Sequence, residues 1–317
     1  MKVILDAGLP KTGSKARQRF FVQAEQDLQV KGVCFPSSGR DGSWHRPLFD
    51  AVVKGDFRLV ERLRQELEDA DSKIGLISYE DFYTLPPDQI LELKRYLPDL
   101  EVVLFLRRQD QLVSSYYNQL HKSHRISLSA IEAFERSCLD WREEYDFRQI
   151  LLRWQEVVGR DALHIVLYDK GTSSVDAFVS AVKIEVDLTS HQETFPNRAV
   201  DGHGLSVLRH VKRLAADEQE LPVLVAEAHR YLQDHFVQAG DADDRYLISL
   251  DDRQKLMSQY EDSNEWTRQH WFPERRSLFP PLEAGVLVSP DFAGGRQEAE
   301  EIVKRCRRRA SQNGAGE

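Results

Sequence analysis

Eight residues near the start of the chain, Gly8-Leu9-Pro10-Lys11-Thr12-Gly13-Ser14-Lys15, gather two glycines, two cations and two hydroxyls. They lie between an apolar run, Val3-Ile4-Leu5, and a segment with helical periodicity. That arrangement suits an oxyanion. The first N–H groups of a helix have no intrahelical partner and stand at the positive end of its dipole. Gly8 and Gly13 allow close backbone approach and positive φ. Lys11 adds a full charge, and Thr12 and Ser14 add hydroxyl donors, a set that matches phosphate or sulfate. The stretch is not a Walker A loop, G-x-x-x-x-G-K-[ST]: Gly8 and Gly13 have the right gap, but Ser14 stands where the lysine belongs and Lys15 is followed by Ala16. The alternative is a strand–helix connection whose glycines serve only the turn.

Further candidates close other apolar runs. Glu80 follows Ile74–Ile77 within Ser78-Tyr79-Glu80-Asp81, Arg107 follows Val102-Val103-Leu104-Phe105-Leu106, and Tyr168 ends His164-Ile165-Val166-Leu167. Ser115 lies eight residues beyond Arg107, on a helix predicted over Asp110–His121. A guanidinium and a hydroxyl near a helix start suit a second phosphate, so a nucleoside phosphorylated at both ends would satisfy both subsites. Phe35–Ser43 is turn-rich and leads into Trp44, His45 and Arg46. A loop of this kind is either functional or a plain surface connection. Glu80 and His45 are candidate general bases. Arg17, Arg19, His121 and His124 are expected in solvent.

The elements that must position these residues alternate in the first half. Strands are predicted at Val3–Leu5, Ile74–Ile77, Val102–Leu106 and His164–Tyr168, with a helix after the loop that buries Ala16, Phe20, Ala24 and Leu28, one over Phe49–Leu67, one that holds Ile90, Leu93 and Leu97, and one over Leu128–Leu152 broken near Asp146. After about Ser190 the signal is helical, at Leu205–Leu214, Leu221–His235, Asp251–Tyr260 and Ala299–Arg309. Asp241-Ala242-Asp243-Asp244 reads as a solvated acidic turn without calcium-loop spacing. The expected architecture is a P-loop-like three-layer α/β fold with a central, mostly parallel sheet and a helical C-terminal layer. It is read as one domain, residues 1–310, in which residues 1–190 form the sheet and residues 191–310 are helical, followed by a disordered tail, 311–317.

Composition narrows the classes. In 317 residues the net charge of −9 argues against a general nucleic-acid binder. Three scattered cysteines, Cys34, Cys138 and Cys306, form neither a disulfide framework nor a zinc pattern, and no metal site is expected. With no leader-like or membrane-spanning stretch, a cytoplasmic protein is expected.

Two motifs carry a family resemblance. Gly8–Ser14 resembles the 5′-phosphosulfate loop of sulfotransferases that use 3′-phosphoadenosine 5′-phosphosulfate (PAPS). Val102–Tyr117 resembles their 3′-phosphate strand and helix. Tyr145, Leu151-Leu152-Arg153-Trp154 and Val157-Val158-Gly159 resemble the approach to the fourth strand in bacterial members, and Ser263-Asn264 and Leu278-Phe279 extend the likeness weakly. The resemblance implies sulfuryl transfer from PAPS to a hydroxyl or amine of a small acceptor, by family precedent a carbohydrate or lipid-linked sugar. It implies Lys11 at the bridging oxygen and sulfuryl group, and Pro10 through Lys15 around the 5′ phosphate. It implies Arg107 and Ser115 at the 3′ phosphate, Tyr168 near adenine, and a base near the position of Glu80, with His45 of the irregular loop as the runner-up. Members commonly carry Gly-Thr-Thr in the loop, where this chain has Gly13-Ser14-Lys15. A P-loop phosphotransferase and a non-catalytic nucleotide-binding relative stand as alternatives.

Overall fold

The computed structural model describes residues 1–139, 144–169, 171–185, 199–237, 245–246, 248–283, 286–287 and 294–313. The chain divides into two compact units. The first takes Met1–Arg108, Tyr145–Phe195 and Glu261–Leu278; the second takes Gln109–Glu144, Pro196–Tyr260 and Phe279–Glu317. The change of texture expected near Ser190 is thus not the only division, because the segment after Arg108 already belongs to the second unit.

The elements of the first unit up to that point are β1 (Lys2–Asp6), α1 (Ser14–Gln23), α2 (Glu25–Val30), β2 (Val33–Cys34), α3 (Arg46–Val53), α4 (Arg58–Asp69), β3 (Ile74–Ser78), α5 (Pro87–Tyr96) and β4 (Leu100–Leu106). The second unit then contributes α6 (Gln109–Lys122) and α7 (Leu128–Ser137). The first resumes with α8 (Phe147–Val158), β5 (Leu163–Leu167) and α9 (Ser174–Val182). The remaining elements are β6 (Ala199–Val200), α10 (Gly202–Leu214), α11 (Leu221–Tyr231), β7 (Phe236–Val237), β8 (Arg245–Tyr246), α12 (Leu250–Ser258), α13 (Glu261–Trp271), β9 (Val286–Leu287) and α14 (Arg296–Asn313). Of these only α13 returns to the first unit.

The first unit is a three-layer α/β structure. Its five strands are all parallel in the order β2-β3-β1-β4-β5. Alternate side chains of a strand point to opposite faces. Ile4, Leu76, Val103 and Phe105 pack on one face against Phe20 and Phe21 of α1, Leu28 of α2 and Phe178 of α9. Val3, Leu5, Ile77, Val102 and Leu104 take the other parity and are equally buried, as a sheet covered on both sides requires. α8 packs on that second face through Phe147, Ile150, Leu151 and Trp154, and its N-cap Asp146 accepts the Gln149 N–H at 3.1 Å. The strands that follow β1 directly, β2 and β3, lie on one side of it, and β4 and β5 lie on the other. The switch point, where ligands bind in open α/β sheets, therefore lies at the carboxyl ends of β1 and β4.

The second unit is helical, with two short strand pairs, β6/β7 and β8/β9. Gly204 to Lys212 of α10 are buried throughout, and Asp110 and Arg253 form a buried ion pair at 2.9 Å. His121, expected in solvent, is buried here; its Nδ1 faces the Tyr117 carbonyl at 3.1 Å.

Several boundaries differ from the sequence reading. The single helix expected over Phe49–Leu67 is two, separated where Gly55 takes φ +72°. The helix after the loop breaks at Ala24. Val33–Cys34, just before the turn-rich segment, is an edge strand that the sequence reading did not place. Residues 311–313, expected in a disordered tail, continue α14; 314–317 and the acidic turn 241–244 lie outside the described residues. No helix among the described residues is long and apolar enough to cross a membrane.

Candidate functional site

The Gly8–Lys15 stretch is built at the switch point. Beyond β1 the chain stays on β4: Ala7 N–H donates to the Val103 carbonyl at 3.1 Å and Leu9 N–H to that of Phe105 at 3.3 Å. A side chain at position 8 would stand 3.0 Å from the Arg17 guanidinium and 3.3 Å from Phe105 Cβ, so glycine permits this close approach. The loop then turns sharply. Thr12 Oγ1 donates to the Leu9 carbonyl at 2.6 Å, and both Lys11 (φ +65°) and Gly13 (φ +82°) are left-handed. For a lysine that conformation costs on the order of 1–2 kcal/mol, and such strain gathers at ligand-binding turns. Gly13 is the N-cap of α1; its carbonyl accepts the Ala16 and Arg17 N–H groups. As an N-cap without a side chain, it leaves the first amides, those of Ser14 and Lys15, for another acceptor.

A buried network underneath holds this shape. Arg17, expected in solvent, is fully buried. It forks onto Asp6 at 2.9 and 3.0 Å, donates to the Thr12 carbonyl at 2.7 Å, and lies 3.9 Å over the Phe105 ring. Ser78 at the end of β3 donates to the same Asp6 carboxylate at 2.8 Å. The reason is local: Asp6 closes a central strand with no access to water, and a buried carboxylate needs a paired cation and hydrogen bonds. An acidic residue ending an apolar strand, with an arginine one helical turn into the next helix, is the signal that could have found this pair.

Arg107 at the end of β4 donates through Nη1 to the Lys11 carbonyl at 2.6 Å, and its guanidinium lies 5.1 Å from the Tyr168 ring centroid. The two sequence candidates Arg107 and Tyr168 therefore meet at the loop, with Arg107 also bracing the strained lysine. Tyr168 lies just past β5, held by its N–H on the Leu106 carbonyl at 2.7 Å. Ser174, the first residue of α9, donates to the Gly13 carbonyl at 3.3 Å, and a Cβ on Gly13 would come within 2.5 Å of its hydroxyl. Glycine is thus required at position 13 both by φ and by space. Among the other loop candidates, Thr12 and Ser14 are buried, Pro10 is half-buried and Lys15 is exposed. The Thr12 hydroxyl is committed within the loop, so only its backbone is left for a ligand. Ser115 lies on the second turn of α6, in the second unit.

Of the two candidate bases, the structure keeps one near the loop. Glu80 begins a short 3-10 turn, Glu80–Thr84, just beyond β3, and accepts a hydrogen bond at 3.1 Å from Gln18 of α1. His45 is a correction. It is fully buried, and both ring nitrogens are taken by main chain: Nδ1 accepts the Ser78 N–H at 3.2 Å, and Nε2 meets the Pro36 carbonyl at 3.1 Å. These partners assign the proton to Nε2. A base must reach its substrate, and this ring cannot. It instead pins the 35–45 loop, together with Glu66, whose carboxylate takes the Ser37 and Ser38 N–H groups at 2.7 Å each.

Burial holds the His45 imidazole neutral, lowering its pKa from 6.5 to about 4; His121 is lowered to about 4 for the same reason. Both folded values lie below the unfolded one. The stability they contribute is therefore fully present above pH 6.5 and is lost as pH falls toward 4, where the unfolded chain binds the extra protons. Each site contributes up to about 3 kcal/mol over that window. We expect the urea midpoint to fall between pH 6.5 and 5, before most carboxylates titrate; a midpoint flat over that range would contradict the burial.

No protein-family model matches the chain, and no curated protein matches it in sequence. Among solved structures it is similar to a sulfotransferase from Alicyclobacillus acidocaldarius. The identity is 16%, over 76% of this chain and 98% of that one, with a TM-score of 0.38.

Chemically, the loop offers main-chain amides at a helix start, a lysine held in a left-handed turn and an arginine at the next strand end. Trp44 packs edge-on to Tyr79, the residue before Glu80, with ring centroids 6.1 Å apart. Arg46 is exposed, its nearest acidic partner Asp50 at 3.7 Å.

Proposed function

We propose that the protein is a sulfotransferase that moves the sulfuryl group of PAPS to a hydroxyl of a small acceptor, with a carbohydrate as the favoured class. The observation that carries this reading is the strained Lys11–Gly13 turn, set on the α1 N-terminus at the β1/β4 switch point and braced by Arg107. In this reading the Ser14 and Lys15 amides hold the 5′ phosphate, Lys11 stabilises charge on the bridging oxygen, and Arg107 holds the 3′ phosphate. Tyr168, beside Arg107, lies near the base of the nucleotide. The acceptor oxygen forms a bond to sulfur while the bond from sulfur to the bridging oxygen breaks. The electron pair stays on the 5′ phosphate, and the acceptor proton passes to the Glu80 carboxylate. Positioning and charge stabilisation do most of the work, as in phosphoryl transfer.

Sulfuryl transfer is favoured over a P-loop phosphotransferase by two side chains. The lysine that reaches the β and γ phosphates in a Walker loop is replaced by Ser14, and the magnesium-holding hydroxyl by Lys15. No metal is assigned to the reaction on that chemistry. The acceptor class rests on Trp44, half-buried in the loop before α3, since aromatic faces suit the apolar faces of sugar rings.

Calorimetric titration tests the reading. Adenosine 3′,5′-bisphosphate, the product of PAPS, is expected to bind with micromolar affinity, and Arg107→Met to weaken it about tenfold or more. Binding of ADP with magnesium but not of the bisphosphate would replace this proposal with the phosphotransferase.

A further inference from the structure

We infer that Gln18 is a positioning residue that holds Glu80 for the acceptor, an inference that rests on the sulfuryl-transfer reading. Gln18 has no place in the sequence motifs. It sits on α1 one helical turn after Ser14, so it shares a face with the residue that opens the phosphate loop. It is 1% exposed, a position where an amide is retained only if its polar atoms are used. Its Nε2 donates to Glu80 Oε2 at 3.1 Å, across 62 residues of sequence.

The neighbouring carboxylate shows what this contact selects. Asp81 takes the Tyr79 hydroxyl at 2.6 Å, a bond within its own turn. Glu80 takes its hydrogen bond from the helix that begins at the phosphate loop. Of the two adjacent acids, Glu80 is therefore the one registered to the donor site. The bond on Oε2 leaves Oε1 for the acceptor hydroxyl. When the acceptor oxygen bonds to sulfur and the bridging oxygen leaves with its electron pair, the acceptor proton moves to Glu80 Oε1 while Gln18 keeps the carboxyl from rotating away. The same contact ties the base to the phosphate loop, because Gln18 lies on the helix that begins at that loop.

The test has an arm that does not need turnover. In wild type, the Gln18 side-chain amide resonance observed by 15N NMR is expected to move on Glu80→Gln; an unmoved resonance means the contact is absent and overturns the inference. In the kinetic arm, Gln18→Leu is expected to lower kcat about tenfold with acceptor KM changed less than twofold, and Gln18→Glu, which keeps the size but places two acids together, is expected to lower it further. In a Glu80→Gln background, Gln18→Leu is expected to add less than a twofold loss, because it acts through Glu80. Full additivity, or a loss confined to KM, overturns the positioning role. Calorimetry with adenosine 3′,5′-bisphosphate on the same samples separates the two claims. Equal binding by wild type and Gln18→Leu leaves the donor site standing whatever the kinetic result. Failure of wild type to bind it removes the function proposed above, and the role of Gln18 with it.

Discussion

Replacing Arg17 with methionine is expected to cost about 3–5 kcal/mol of stability, the usual result of leaving one member of a buried ion pair alone. Three things are lost together: the fork on Asp6, the bond to the Thr12 carbonyl and the stacking on Phe105. Asp6 would retain only the Ser78 hydroxyl in a place without water. Thermal unfolding should fall on the order of 10 °C for a chain of this size. A second variant separates stability from site shape. Asp6→Leu combined with Arg17→Met removes both charges, and most of the stability should return, since buried pairs are often matched by apolar replacements. Ligand affinity should not return, because the Thr12 carbonyl still lacks its donor and the loop is no longer held. Adenosine 3′,5′-bisphosphate binding that recovered along with the melting temperature would show that Arg17 shapes nothing beyond the core.

Lys11→Ala should lower the transfer rate by 10²- to 10³-fold, about 3–4 kcal/mol of transition-state stabilisation, the scale seen when one preorganised donor to a developing negative charge is removed. The melting temperature should change little, since the position is half-buried and its left-handed backbone strains alanine as it strains lysine. Binding of the bisphosphate should weaken less than the rate, because charge on the bridging oxygen grows only as sulfur leaves. The left-handed backbone of Lys11 makes Lys11→Gly a useful companion. It relieves the strain and removes the charge, so a rate equal to that of Lys11→Ala assigns the effect to the ammonium group. A variant with wild-type rate would end the catalytic assignment of Lys11.

The α/β class, the positions of four of the five sheet strands and the glycine-bearing turn between β1 and α1 were all legible in the sequence. They rest on short-range rules: apolar runs long enough for a buried strand, helical periodicity, and glycines where φ must be positive. Gly13 with φ +82° and Arg107 at the end of β4 stand where those rules put them. The misplaced side chains were decided by burial, which spacing does not report. Arg17 and His121 looked polar and exposed on their helices yet are buried, because the packing of neighbouring elements, not the helix itself, determines which face meets water. His45 stood beside Trp44 and Arg46 like a site residue, but Ser78 and Pro36 had already claimed both of its nitrogens. The Gln18–Glu80 contact joins positions 62 residues apart, and only the folding of β3 beside β1 brings them together. By itself, then, the sequence determined where the backbone turns left-handed ahead of a helix start, since that depends on residue type along a few consecutive positions. Which charges are spent on holding that backbone, and which stay exposed beside it, was decided by the tertiary structure, because a charge's role depends on the partners and the water that folding leaves around it.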